Sequence, residues 1–123
     1  MSDRIIVRDL QVFARHGVLA EEARLGQRFA LDIVAFLDLG PAGRSDELAA
    51  SVSYVEIVET AVEVLTTRRF KLLEAASQAV ADALFERFAT IEHIAIELRK
   101  PGAPIDAVFA HVAVAIERSR DGR

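Results

Sequence analysis

Two neighbouring stretches, SYVEIVETAVEVLTTRR (53–69) and LLEAASQAVADALFERF (72–88), decide the fold. The first opens with a Ser-x-x-Glu capping box, Ser53 and Glu56, which is typical of a helix start. Its apolar residues recur at helical spacing, as do those of the second stretch: Tyr54, Ile57, Val58, Ala61 and Leu65, then Leu72, Leu73, Ala76, Val80, Ala83, Leu84 and Phe88. The pattern predicts two antiparallel helices, each with one apolar face to bury.

Four segments outside this helix pair are rich in β-branched residues with partial period-two alternation, which predicts strands. They are residues 4–13, 27–39, 91–100 and 106–118. A polar loop of about a dozen residues, 16–27, separates the first two, and 40–47 is a clear break. The order ββααββ predicts an α+β fold, a four-stranded antiparallel sheet with two helices on one face.

The composition is that of one globular domain spanning residues 1–123. Hydrophobic residues make up 52% and charged residues 28%, with a net charge of −4. No basic cluster interleaved with aromatic residues indicates nucleic-acid binding, and no apolar run indicates a signal peptide or a membrane span. Because the chain has no cysteine, disulfides and thiol chemistry are excluded, and we expect a cytoplasmic protein.

The strands predict that the second face of the sheet is also covered. In the predicted last strand one parity is bulky and the other is hardly a solvated surface: Val108, Val112, Val114 and Ile116 against Phe109, His111, Ala113 and Ala115. With helices on one face only, we expect the other face to meet a second copy of the chain, giving a homo-oligomer. The alternative is that these alanines are ordinary scattered surface residues.

Lys100 is an unusual residue in this chain, which has thirteen arginines but only two lysines, Lys71 and Lys100. A lysine can give up its proton, whereas an arginine cannot. Parity places Lys100 on the same apolar side of its strand as Ile94, Ile96 and Leu98, and the prolines that follow stiffen the turn. Lys100 is therefore a candidate proton-transfer residue, or alternatively a structural lysine whose amine reaches the rim.

Four further residues are candidates with ordinary alternatives. Tyr54, the only tyrosine, lies in the first turn of the first helix. Its alternative role is that of an amphipathic core residue with the hydroxyl at the surface. Glu74 lies near the start of the second helix, where the macrodipole favours any carboxylate. Glu21 and Glu22 lie in the long loop, where solvated charge is the default.

The histidines do not predict a metal site. His16, His93 and His111 are far apart in sequence and form no His-x-His or His-x-x-x-His pair. The alternative is a metal held by residues that come together from distant strands.

Taken together, the motifs carry a resemblance that covers almost the whole chain. The runs HGVLAEEARLGQRF, GRSDEL, SVSYVEIVE, FKLLEAASQAVADALF and ELRKPGAPI, followed by the closing strand VAVAIER, resemble dihydroneopterin aldolase of the folate pathway. The resemblance implies the tunnelling fold, in which ββααββ subunits join their sheets into tetrameric rings and two rings stack as an octamer.

The resemblance also implies an activity and a site. Members cleave 7,8-dihydroneopterin into 6-hydroxymethyl-7,8-dihydropterin and glycolaldehyde without cofactor, metal or Schiff base. Lys100 would transfer the proton, and Tyr54 of a neighbouring subunit would assist it and line the site. Glu74 and the Leu73 backbone would bind the pterin, and Glu22 would hold the side-chain hydroxyls, with Glu21 as the alternative if the register is shifted by one.

Two other functions fit the same fold. Dihydroneopterin triphosphate epimerase is a sister family that typically lacks the Gly-Gln pair and the Lys-Pro-x-Ala-Pro-Ile turn, both of which this chain has. Aldolases of the family can also epimerise their substrate. A non-catalytic pterin-binding oligomer is the rival from another class, and it predicts binding without release of glycolaldehyde.

Overall fold

The computed structural model describes residues 3–122. Four strands and four helices make up the chain within that range: β1 (Arg4–Ala14), α1 (Ala20–Leu25), β2 (Gln27–Phe36), α2 (Gly40–Ser45), α3 (Tyr54–Thr67), α4 (Leu73–Arg87), β3 (His93–Lys100) and β4 (Val112–Ser119), with a short 3-10 turn at Leu48–Ala50. The strands form one antiparallel sheet in the order β1-β2-β3-β4. The predicted ββααββ architecture is confirmed.

The helix pair covers one face of the sheet and encloses the core. Alternate residues of the central strands point to that face because side chains alternate along a strand. The fully buried set includes Leu31, Ile33, Ala35, Ile94, Ile96 and Leu98 from the strands, and Ile57, Ala61, Leu65, Val80 and Leu84 from the helices. The core therefore fixes which side of each strand is enclosed.

The first long helix, α3, begins where the capping signal predicts. The Ser53 hydroxyl accepts a hydrogen bond from the Glu56 N–H at 3.4 Å. The Glu56 carboxylate pairs with Arg87 at 2.9 Å, and Arg87 also donates to the Thr60 hydroxyl at 2.6 Å. These contacts tie α3 to the end of α4.

Several predicted boundaries were wrong. The last strand begins at Val112 and not at residue 106, because its partner β3 ends at Lys100, which pairs with Val112. The segment between them follows tight turns, such as the Ala107 N–H to Ile105 carbonyl bond, and leaves Val108 fully exposed. Leu72 is also half exposed, since it is the extended N-cap of α4 and not part of its buried face.

Other segments differ more modestly from the prediction, and β3 begins at His93, two residues after the predicted start. Strand β2 ends at Phe36, three residues before the predicted end. The predicted break at 40–47 contains the short helix α2, with a proline in its first turn, and the predicted loop 16–27 contains α1.

The open face of the sheet carries an ionic network and not only small apolar residues. Arg99 lies within 2.9 Å of Asp32, 2.8 Å of Glu97 and 3.1 Å of Asp9. Its bonds to Asp32 above all raise the pKa of Arg99. Asp9 occupies the bulge of β1 with a positive φ of 56°, and its N–H donates to Asp32 at 2.8 Å. The face is therefore mixed, unlike the apolar surface that the sequence predicted.

No helix within residues 3–122 has both the length and the apolar character needed to cross a membrane.

Candidate active site

Lys100 ends β3 and faces the enclosed side of the sheet, as its parity predicts. Ile94, Ile96 and Leu98, which share its side of the strand, are buried. Its side chain is only 10% exposed, and its amine contacts Oε2 of Glu22, whose side chain is 8% exposed. The structure thus brings together two of the predicted site residues as a secluded ion pair.

Helix α1 presents Glu22 to the lysine. Glu22 occupies the first turn of this helix and is turned inward, whereas Glu21 is exposed. The Leu19 N–H donates to Oε1 of Glu22 at 3.3 Å, and the Gln27 amide donates to Oε2 at 3.3 Å. Of the two adjacent glutamates, Glu22 is therefore the one that faces Lys100.

The charge state of Glu22 is set by opposing effects. Burial by itself raises the pKa of a carboxyl group, because it disfavours the charged form. The Lys100 amine, followed by the Leu19 N–H and the Gln27 amide, outweighs burial and lowers the pKa of Glu22 below its ordinary value. Glu22 is therefore a carboxylate at neutral pH, able to accept hydrogen bonds from hydroxyl groups.

Gly17 provides the space that the Glu22 carboxylate occupies. Its φ is +148°, and a Cβ at this position would lie 2.2–2.5 Å from the three carboxylate atoms of Glu22. Such distances are well inside van der Waals contact, so only glycine lets the carboxylate lie against the backbone here.

The segment before α4 holds the loop that carries Gly17. The Arg69 guanidinium donates to the Gly17 carbonyl at 2.6 Å and to the Leu19 carbonyl at 3.3 Å. The Gly17 N–H donates to the Phe70 carbonyl at 3.0 Å, and Nδ1 of buried His16 accepts from the Phe70 N–H at 3.0 Å. These bonds join parts of the chain that are fifty or more residues apart.

His16 is thus a structural member of the site, a role that its sequence context, which offered no paired metal ligand, did not predict. Burial above all, together with the charges of Arg69 and Lys100, lowers the pKa of His16 although the Leu65 carbonyl opposes the shift. The imidazole is accordingly neutral at pH 7. Its sequence signal, a histidine directly before glycine after a strand, does not reveal the partner at Phe70.

Tyr54, Leu73 and Glu74 lie at the helix starts. Tyr54 is the first residue of α3, is 67% exposed, and lines an apolar groove of about 430 Å³ with Ile5 and Leu48. Glu74 is exposed in the first turn of α4, which begins at Leu73 and has no side-chain cap. The first N–H groups of an uncapped helix are available to a ligand or to water.

The comparisons of sequence point to one family. A sequence model of the FolB dihydroneopterin aldolase family matches residues 5–117. The dihydroneopterin aldolase of Methylorubrum extorquens is 53% identical over 120 residues, which are 98% of this chain and 92% of that one.

Solved structures extend the comparison to the fold. The E. coli dihydroneopterin aldolase in complex with neopterin has a TM-score of 0.87 and 36% identity, over 95% of this chain and 99% of that one. The Burkholderia thailendensis dihydroneopterin aldolase bound to guanine has a TM-score of 0.78 over 97% and 92% of the two chains, and at 21% identity it shows the fold alone. The family model spans nearly the whole chain, and the two dihydroneopterin aldolases that share 53% and 36% identity align over almost the full length of both sequences. The chain therefore belongs to the dihydroneopterin aldolase family.

Proposed function

We propose that Lys100 transfers the proton in the lyase reaction of this chain. That reaction is the cleavage of 7,8-dihydroneopterin into 6-hydroxymethyl-7,8-dihydropterin and glycolaldehyde in folate biosynthesis. The observation that carries the proposal is the secluded pair of Lys100 and Glu22, an amine and a carboxylate held together where the apolar side of β3 ends.

The cleavage reaction requires proton transfer and an electron acceptor. The Lys100 amine removes the proton of the side-chain hydroxyl next to the bond that breaks, directly or through water. The electrons of the broken C–C bond pass onto the protonated ring imine, which becomes an enamine, and glycolaldehyde leaves. The Lys100 ammonium then returns its proton to the enamine carbon, directly or through water, and loss of the ring-nitrogen proton gives the hydroxymethyl product. Because the substrate itself accepts the electrons, we propose that neither a metal nor a Schiff base takes part.

Glu22 and Glu74 bind different parts of the substrate. The Glu22 carboxylate beside Lys100 accepts hydrogen bonds from the side-chain hydroxyls, which orients them toward the amine. Glu74 accepts paired bonds from the amino and ring N–H groups of the pterin, assisted by the backbone at Leu73. Neopterin, in complex with the E. coli relative, and guanine, bound to the B. thailendensis protein, both contain an amino-pyrimidinone ring with such an edge.

Tyr54 completes the site from a neighbouring subunit. It lines an exposed apolar groove of its own, as expected for a residue that is covered in an assembly. We therefore propose a homo-oligomer of tetrameric rings, stacked as an octamer, with sites between subunits. We also propose that the protein is cytoplasmic. The same site would allow epimerisation as a side activity, if the cleaved fragment re-adds to the other face.

Replacing Lys100 with Arg tests the proton-transfer role, because Arg keeps the positive charge beside Glu22 but cannot deprotonate. We expect the variant to assemble and bind pterin like the parent, yet to lose about 100-fold or more in turnover, the usual scale for general acid–base catalysis. Glycolaldehyde release is measured with EDTA present throughout, so the parent also tests metal independence.

Lys71→Arg is the matched control, since Lys71 is the other lysine and is exposed. A Lys100→Arg enzyme with parent turnover would contradict the proton-transfer role. Loss of parent activity in EDTA, restored by a divalent ion, would contradict the metal-free reaction.

A further inference from the structure

We propose that Gln27 is a positioning residue that holds the Glu22 carboxylate in place while Lys100 changes its charge. The inference rests on the roles proposed above for Glu22 and Lys100. Gln27 is the first residue of β2 and follows Gly26, which ends α1. Its side-chain amide donates to Oε2 of Glu22 at 3.3 Å, the same oxygen that contacts the Lys100 amine.

The hydrogen bonds to Glu22 show why this amide matters. Oε1 accepts from the Leu19 N–H, and Oε2 is shared by Lys100 and Gln27. When Lys100 is neutral, the ion pair is lost and one of the two contacts to Oε2 weakens. The Gln27 amide does not titrate, so its bond persists in both states of the lysine.

The fold fixes Gln27 itself from both sides. Its backbone pairs with Ala14 in the sheet. Its Oε1 lies next to Gly102, in the turn that follows Lys100, where a Cβ would approach it to 2.7 Å. Only the NH2 end of the amide can face a carboxylate favourably, so Glu22 determines the orientation of the group. Gln27 thereby lies between the loop that carries Glu22 and the turn behind Lys100, although its Oε1 accepts no hydrogen bond from that turn.

The test compares Gln27→Leu, which removes the donor, with Gln27→Glu, which keeps the shape but places a second carboxylate against Glu22. We expect kcat/KM to fall about tenfold in Gln27→Leu and further in Gln27→Glu, the range for a hydrogen bond to a charged group. Because the amide lowers the pKa of Glu22, its loss should move the acid limb of kcat/KM to higher pH. The affinity for a pterin without the trihydroxypropyl side chain should not change.

Gln11→Leu is the matched control, since Gln11 is an exposed glutamine of the neighbouring strand that donates to Asp9 at 3.2 Å. It should keep the parent pH profile. Circular dichroism and the size of the assembly establish that each variant folds. If Gln27→Leu does not fold, Gln27→Glu alone is used for the test.

A double-mutant cycle with Glu22→Gln separates this inference from the proposed function. If Gln27 acts through Glu22, adding Gln27→Leu to Glu22→Gln should cost little more activity. Additive losses of activity in the double mutant would overturn the role of Gln27 and leave that of Glu22 standing. The same conclusion would follow if the Gln27 variants had parent activity while Glu22→Gln was impaired. A fully active Glu22→Gln enzyme would instead overturn the role of Glu22, and with it the basis of this inference.

Discussion

Replacing Gly17 with Ala should disable the site by displacing the carboxylate of Glu22, which the substitution leaves chemically intact. The added Cβ would meet that carboxylate at 2.2–2.5 Å, whereas ordinary contact begins at 3.4 Å. The carboxylate must therefore move by about 1 Å, and a shift of that size in a positioned group can cost about 100-fold in rate. The left-handed φ of Gly17 adds about 1–3 kcal/mol of backbone strain.

The assay for Gly17→Ala combines glycolaldehyde release with urea unfolding, and Gly43→Ala is its control. Gly43 lies in α2, and a Cβ added there would meet no atom within 4 Å apart from its chain neighbours and the backbone of its own helix. Alanine should therefore keep full turnover and leave the protein at least as stable. A Gly17→Ala enzyme with parent turnover would refute the view that the position of the Glu22 carboxylate matters. Lost turnover with a normal affinity for bare pterin would support it.

Two other predictions concern the carboxylates. Glu74→Gln replaces one acceptor by a donor facing the pterin N–H pair, so pterin affinity should fall about tenfold or more, measured by calorimetry; unchanged affinity would remove Glu74 from the site. The pKa of Glu22 is lowered in the folded protein, so its stabilising effect is complete above its ordinary pKa and is lost as the pH falls through the folded value. Urea titrations between about pH 7 and pH 3 should therefore show a steeper loss of stability in the parent than in Glu22→Gln, and identical slopes would contradict the ion pair.

Local sequence patterns were sufficient to predict the two long helices, the ββααββ order and the side of the sheet on which Lys100 lies. The helices follow from the Ser53 cap and the helical spacing of apolar residues, and the side follows from the alternation that places Lys100 with Ile96 and Leu98. Such patterns depend on neighbours within a few residues, so they can be read without knowing the rest of the fold.

The assembly of the site, in contrast, depends on contacts between distant segments that no local pattern describes. The choice of Glu22 over Glu21, the contact of Gln27 with Glu22, and the start of β4 at Val112 all depend on where those segments meet. Arg69 lies fifty-two residues from Gly17, whose carbonyl it binds. No periodicity encodes such a contact, because it forms only when the helix pair packs on the sheet and brings the segment before α4 against the loop after β1.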